Sequence, residues 1–388
     1  MKEHWLLDPN VTFLNHGSFG ATPIAVLSKQ DEYRTRLERE PVRFMVRELE
    51  PLLDAARAEV AAFVGAEPDD IAFVQNATAG VNAVLRSLDL DQHDELLVTT
   101  HEYNASRNAL DHACALAGAK IVVAEVPFPI ASPDVVVERV MAKVTDRTRL
   151  LLIDHITSQT ALILPIEGII AELRTRGIDT LVDGAHAPGQ IPLDLRTLGA
   201  AYYTGNFHKW VCAPKGAGFL YVARNRRASI RPTIISHGAN ATRTDRSRYL
   251  LEFDWTGTFD PAAWLCVPES MRFMASLVDG WPEIMRRNHA LALRARDLLC
   301  HRLGMPHPAP DAMLGSMAAF PLPDGTALDA SALYGGEPLQ DALLEKYAIE
   351  VPIMPWPYPP KRTLRISAQL YNTIEEYERL GDALAALL

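Results

Sequence analysis

Seven short apolar runs mark the first part of the chain: Ile71–Gln75, Glu95–Thr100, Lys120–Val126, Arg149–His155, Thr180–Val182, Ala201–Thr204 and Gly218–Val222. Their hydrophobic positions are nearly continuous rather than alternating, which predicts strands covered on both faces, in a parallel or mixed sheet. Stretches with helical spacing lie between them, including Ala105–Ala117, Asp134–Val144 and Ile166–Arg176. This alternation predicts an α/β fold in which helices cover a mainly parallel sheet. Beyond about Pro261 the pattern changes to longer helices, Ala262–Val278 and Trp281–Leu303, then short mixed segments and a final helix near Ile374–Leu387. A domain boundary is expected there. The segment Val351–Lys361 carries Pro352, Pro355, Pro357, Pro359 and Pro360. It is excluded from a helix or a central strand and is expected to be a stiffened loop, either lining a cleft or serving as a surface connector.

Composition narrows the function classes. A chain of 388 residues, 48% hydrophobic and 22% charged, suits a large domain with a smaller companion and is expected to be ordered throughout. A formal charge of −10 argues against a nucleic-acid or anionic-membrane partner. Cys114, Cys212, Cys266 and Cys300 form no CxxC pair and read as core thiols in a reducing compartment. No leader-like or membrane-spanning run stands out, so the expectation is a soluble, cytoplasmic protein. The histidines form no HExxH-type spacing, so no metal site is expected, and His101 and His237 read as structural or surface residues.

Three local patterns carry chemistry. Thr204-Gly205-Asn206-Phe207-His208-Lys209-Trp210 follows a predicted strand and precedes the glycine-rich Gly216-Ala217-Gly218. Upstream, Thr180-Leu181-Val182-Asp183 is a second buried strand, ending in an aspartate. Ligands of open α/β sheets sit at the carboxyl ends of strands, so Lys209 and Asp183 can reach one crevice. A pyridoxal 5′-phosphate (PLP) site needs that pair: an amine to form a Schiff base, and a carboxylate to keep the pyridine nitrogen protonated. The competing reading makes Asp183 a helix cap. Third, Gln75-Asn76-Ala77-Thr78-Ala79-Gly80-Val81-Asn82 opens a helical pattern, where unpaired N–H groups and the helix dipole suit a phosphate. Any capped helix has a similar appearance.

These motifs occur in a recognisable order. Asn15-His16-Gly17-Ser18-Phe19-Gly20, the Asn76–Asn82 turn, Asp183-Gly184-Ala185-His186, Phe207-His208-Lys209-Trp210 and Leu364-Arg365-Ile366-Ser367-Ala368-Gln369-Leu370-Tyr371-Asn372 resemble the class V aminotransferases, above all their isopenicillin N epimerase-like branch. The resemblance covers nearly the whole chain. It implies the aspartate-aminotransferase-like fold of PLP enzymes (fold type I), with an N-terminal segment 1–20 contributing to the active site, a large PLP-binding domain 21–260 with a seven-stranded sheet, and a small α+β domain 261–388. Lys209 is then the Schiff-base lysine, Asp183 the pyridinium partner and His186 the neighbour of the cofactor's phenolic oxygen. Ala77, Thr78, Asn206 and His208 form the phosphate cradle. Tyr103 occupies the position of a ring stacked on the pyridine, against the alternative of a core tyrosine. Arg365 corresponds to the clamp for a substrate α-carboxylate, against a surface arginine paired with an acid. Asn15 and His16 fall among the substrate-binding positions. The run Asp254-Trp255-Thr256-Gly257-Thr258 resembles a turn that reaches the neighbouring subunit's phosphate, which implies a homodimer with shared sites.

The resemblance leaves epimerisation at Cα, β-elimination and transamination open for a small amino-acid-type substrate. Epimerisation comes first, because Val351-Pro352-Ile353 and Leu364–Asn372 resemble that branch. A C–S lyase similar to the hercynylcysteine sulfoxide lyases comes next, and an aminotransferase after it. Cysteine desulfurases carry a nucleophilic cysteine shortly before the substrate arginine, and the stretch Ile349–Arg365 contains none. His155, Ser158 and Gln159 follow a predicted strand and either face the cofactor or form an ordinary polar loop. A PLP fold kept only for binding is disfavoured by the presence of Lys209, Asp183 and Arg365 together.

Overall fold

The computed structural model describes residues 1–325 and 336–388. Its centre is a seven-stranded sheet formed by β1 (Ile71–Val74), β2 (Glu95–Thr99), β3 (Lys120–Ala124), β4 (Thr148–Asp154), β5 (Asp179–Gly184), β6 (Tyr202–Asn206) and β7 (Gly218–Val222). The spatial order is β1-β7-β6-β5-β4-β2-β3, and only β7 runs antiparallel to its neighbours. All seven expected strands are present, with ends shifted by one or two residues. Their continuous apolar runs are explained by helices on both faces: Leu150, Leu151, Leu152 and Ile153 of β4 are at most 1% exposed. Burial of each such side chain stabilises the fold by about 1.5–3 kcal/mol.

A second sheet, ordered β9-β10-β8, is antiparallel and consists of β8 (Met317–Leu322), β9 (Ile353–Pro355) and β10 (Arg362–Ser367). Here the expectation of a loop over Val351–Lys361 needs correction. Ile353–Pro355 pairs with Arg362–Leu364 as an edge strand, the position where a proline deprives no inner neighbour of a hydrogen bond. The expected helix Ala262–Val278 is also divided, into Ala262–Leu265 and Val267–Ser276. Pro268 has no N–H to continue the first helix, yet it fits the first turn of the second.

The N-terminal segment returns to the far end of the chain, where Thr12–Phe13 pairs in parallel with Ile349–Glu350. Gly20, at φ +70°, then brings this segment onto the lysine loop; a Cβ there would lie 2.0 Å from the His208 carbonyl oxygen. We propose the division 1–20, 21–260 and 261–388 as a description of the two sheets, with 326–335 outside the described residues. The packing crosses it, since Ala262–Leu265 and Val267–Ser276 lie against Ile24–Arg39 and Leu49–Val64.

Candidate active site

A cavity of about 580 Å³ opens at the carboxyl ends of β1, β4, β5 and β6. Lys209, Asp183, His186, Asn206, His208, Ala77, Thr78 and Tyr103 all line it, with Ser18, Ser158 and Asp154. Residues far apart in the sequence thus converge where this fold class places its ligands.

Lys209 follows β6, and its Nζ lies 3.1 Å from His186 Nε2. Burial and the nearby Arg365 guanidinium lower the lysine pKa to about 7, while Asp183 and Asp154 oppose the shift. The amine is therefore available in its nucleophilic neutral form near neutrality. Burial holds His186 well below its ordinary range, so its ring is neutral. The Trp210 indole N–H donates to Nδ1 at 3.4 Å, which assigns the ring proton to Nε2, facing the lysine. Asp183, next to last in β5, is a buried carboxylate: Ser106 Oγ donates to Oδ2 at 2.7 Å and the Ala185 N–H donates to Oδ1 at 3.0 Å. It does not cap a helix. Burial raises its pKa, and the donors from Ser106 and Ala185 together with Lys209 counter that rise.

The opposite end begins at the helix Ala77–Leu85, whose N-cap Asn76 accepts from the Ala79 N–H at 2.9 Å. Ala77 N–H donates to Asn206 Oδ1 at 2.9 Å, so this amide is engaged by Asn206 rather than directed at an anion. Asn206 instead fastens the helix start to β6. Thr78 remains on the cavity wall. His208 donates through Nδ1 to the Ala217 carbonyl at 3.1 Å, and burial lowers its pKa to about 4.

Arg365, on β10, is 1% exposed and stands behind Ser18 and Ser158 rather than on the cavity wall. It donates to Ser158 O at 2.7 Å and Ser18 Oγ at 2.8 Å, while its Nε has no acceptor among the described residues. Among those residues no carboxylate lies within ion-pair distance of it, which removes the reading of a surface ion pair. Burial lowers its pKa to about 10. Asn15 joins the same group, accepting from Ser18 Oγ at 2.5 Å and donating to Glu350 Oε1 at 2.9 Å. His16 is placed elsewhere. Its ring is fully buried between the Tyr371 hydroxyl at 2.7 Å and the Lys209 carbonyl at 3.0 Å, where it braces the lysine backbone.

Other assignments divide in the same way. Ser158 supports Arg365, but His155 turns away to Tyr203 Oη at 2.9 Å. Thr258 is exposed and absent from the wall of its own chain's cavity. No residue of Val351–Lys361 lines the cavity; Trp356 packs on His101 and Phe128 with ring centroids 4.7 and 5.5 Å away. Ser106, Glu102 and Asp154 lie outside the motifs that the sequence offers, and Ser18 stands within the Asn15–Gly20 motif without a role of its own. Asp154 ends a strand beside Asp183, a signal available from the strand-end rule. None of the four cysteines, all buried, lines the cavity.

The donor set fits PLP: the polar side chains of Thr78, Asn206 and His208 would suit its phosphate, the neutral Lys209 amine its aldehyde and the buried Asp183 carboxylate its ring nitrogen. The family model described as Aminotransferase class-V matches residues 18–380. The chain is 37% identical to the isopenicillin N epimerase of Streptomyces clavuligerus, over 98% of this chain and 96% of that protein. It is 30% identical to a probable chloroplastic L-cysteine desulfhydrase of Arabidopsis thaliana, over 98% of this chain and 84% of that protein. A solved structure of a C-DES mutant, with glycine covalently linked to its PLP cofactor, superposes with a TM-score of 0.81 at 22% identity, covering 99% of each chain. The fold is therefore that of the type I PLP enzymes, the cofactor is PLP, and the chain belongs to the class V aminotransferase family.

Proposed function

We propose that the chain is an epimerase acting at the Cα of an amino acid or amino-acid-containing small molecule with a free α-carboxylate. The observation that carries this reading is Arg365, a buried cation without an anion, held beside Lys209. An uncompensated buried charge is costly and favours a ligand that brings the opposite charge. A carboxylate is the planar two-oxygen acceptor that a guanidinium fork fits. Ser18 and Ser158 would release the fork to it and remain as hydroxyl donors.

Bound PLP supplies an electron sink for charge developing at Cα. The protein's part is to hold and move protons. Asp183 holds the ring-nitrogen proton, with Ser106 and the Ala185 amide fixing its orientation. Lys209, once released, is the base placed to take the Cα proton, and its lowered pKa suits that task near neutrality. The phosphate would lie against Thr78, Asn206 and His208. Identity to the isopenicillin N epimerases supports epimerisation over the other outcomes. Similarity to the L-cysteine desulfhydrase supports β-elimination as the second reading, while the placement of all four cysteines away from the cavity disfavours a cysteine-persulfide route.

The same reading includes a homodimer in which the exposed Thr258 reaches the partner's phosphate. It also includes a cytoplasmic location, supported by four unpaired cysteines. No helix among the described residues is long and apolar enough to cross a membrane. Incubation with L- and D-amino acids and S-substituted cysteines in deuterated water tests the reaction. Deuterium at Cα with inversion is expected; pyruvate release would establish elimination, and keto-acid formation transamination.

A further inference from the structure

Three neighbouring parallel strands lead to three clustered carboxylates, of which Asp154 and Asp183 line the cavity and Glu102 does not. Asp154 and Asp183 are Cα partners in register at the carboxyl ends of adjacent strands, and Glu102 follows the end of β2. One oxygen of each lies within 4.8 Å of the other two, and all three residues are at most 7% exposed. Asp183 receives donors from Ser106 and Ala185, as described. Among the described residues, no donor meets full hydrogen-bond geometry at either oxygen of Glu102 or at Oδ2 of Asp154, and only the Tyr103 backbone favours the ionised Glu102. Burial and mutual repulsion both oppose three ionised carboxylates at this spacing. Burial and Asp183 raise Asp154 as well, but a hydrogen bond with Glu102 and the Lys209 charge counter that rise, and Lys209 also favours the ionised Asp183, whereas the charges acting on Glu102 are those two carboxylates. Burial and Asp154 hold Glu102 well above the usual carboxylate range. The proton that relieves the cluster belongs on Glu102.

We propose that Glu102 is a neutral acid at neutral pH that donates its proton to Asp154, and that this pair is a positioning device holding one negative charge beside Asp183. The proton comes from solvent and the pair exchanges it with no other group, so nothing is consumed. A second anion behind Asp183 strengthens the hold on a proton at the ring nitrogen, which deepens the PLP reading given above and rests on its assignment of Asp183. The alternative of a cation bound by the three carboxylates would pull Asp183 away from the ring.

Infrared spectra of the holoenzyme in H₂O and D₂O test the proton's location. A carbonyl band of a neutral carboxylic acid, shifted by deuteration, is expected in the wild type. It should vanish in Glu102→Gln and move to higher frequency in Asp154→Asn, which weakens its acceptor. Nitrogen NMR of enzyme loaded with ring-¹⁵N PLP reads the consequence. Asp154→Asn should reduce the proton affinity of the ring nitrogen about tenfold, roughly one pH unit, while Glu102→Gln, whose amide still donates to Asp154, should titrate like the wild type. No neutral-acid band, a band surviving Glu102→Gln, an Asp154→Asn titration identical to the wild type, or a stoichiometric metal ion in the cluster would each overturn the proposal. Asp183→Asn separates the two assignments. If it leaves the ring titration unmoved, the Asp183 reading fails, while the infrared band still decides the state of Glu102. Should Glu102→Gln not fold, the wild-type band and its shift in Asp154→Asn remain decisive.

Discussion

His186 Nε2 faces Lys209 Nζ at 3.1 Å, with Trp210 fixing the far side of the imidazole. This relationship presents the histidine proton to the lysine's lone pair and keeps the amine aimed into the cavity. Reduction of the holoenzyme with borohydride should therefore leave the cofactor on Lys209. Lys215 is the fair rival, since it lines the same cavity, but its Nζ is engaged by the Gly20 carbonyl at 3.0 Å. Peptide mapping that finds the label on Lys215 would overturn the assignment.

The lowered pKa of Lys209 makes cofactor capture pH-dependent. The rate at which apoprotein takes up PLP, followed by the imine absorption band, should rise as pH passes through about 7 and level off above it. Stability carries the matching sign. The unfolded amine binds its proton up to its ordinary value of 10.5 and the folded one only below about 7, so between these pH values this group makes the apoprotein more stable as pH rises. Lys209→Met should form no imine band in stopped flow and should flatten the stability profile measured by denaturant titration.

Asp183→Asn preserves size and removes the charge. PLP content should stay near normal while Cα–H exchange slows by orders of magnitude. Ser106→Ala, which removes one charge-assisted bond to Asp183, is expected to cost about 1.5–3 kcal/mol of stability and to slow exchange far less. Near-normal exchange in Asp183→Asn would mean that another residue controls the ring nitrogen.

Replacement of Arg365 should separate binding from stability. Arg365→Lys keeps a charge but loses the fork, so KM for an amino acid should rise strongly, with about 2–5 kcal/mol of binding lost and the cofactor spectrum unchanged. Arg365→Met removes a buried cation that lacks an anion, so the substrate-free protein should hold or gain Tm while carboxylate binding disappears. Unaltered KM in Arg365→Lys would remove the arginine from the site.

Thr258 tests the shared site. Mixed dimers of inactive Lys209→Ala and Thr258-damaged chains should recover part of the activity, because some contain one site with both defects and one with neither. Absence of recovery despite demonstrated subunit exchange would place each site within one chain.

What the amino-acid sequence determined by itself is local. Each strand of the large sheet declares itself by a continuous apolar run because its neighbours cover both faces, and Asp183 and Lys209 stand in short turns directly after or at the end of such runs. Tertiary structure decided whatever depends on a distant neighbour. Ile353–Pro355 became a strand because Arg362–Leu364 offers it an edge, and His16 turned behind the lysine because Gly20 brings the N-terminal segment onto that loop. Arg365 reads as any arginine until burial without an anion gives it a purpose. Likewise Glu102, Asp154 and Asp183 are three ordinary acids along the chain, and their protonation follows from desolvation and repulsion that arise only when three strand ends are placed side by side.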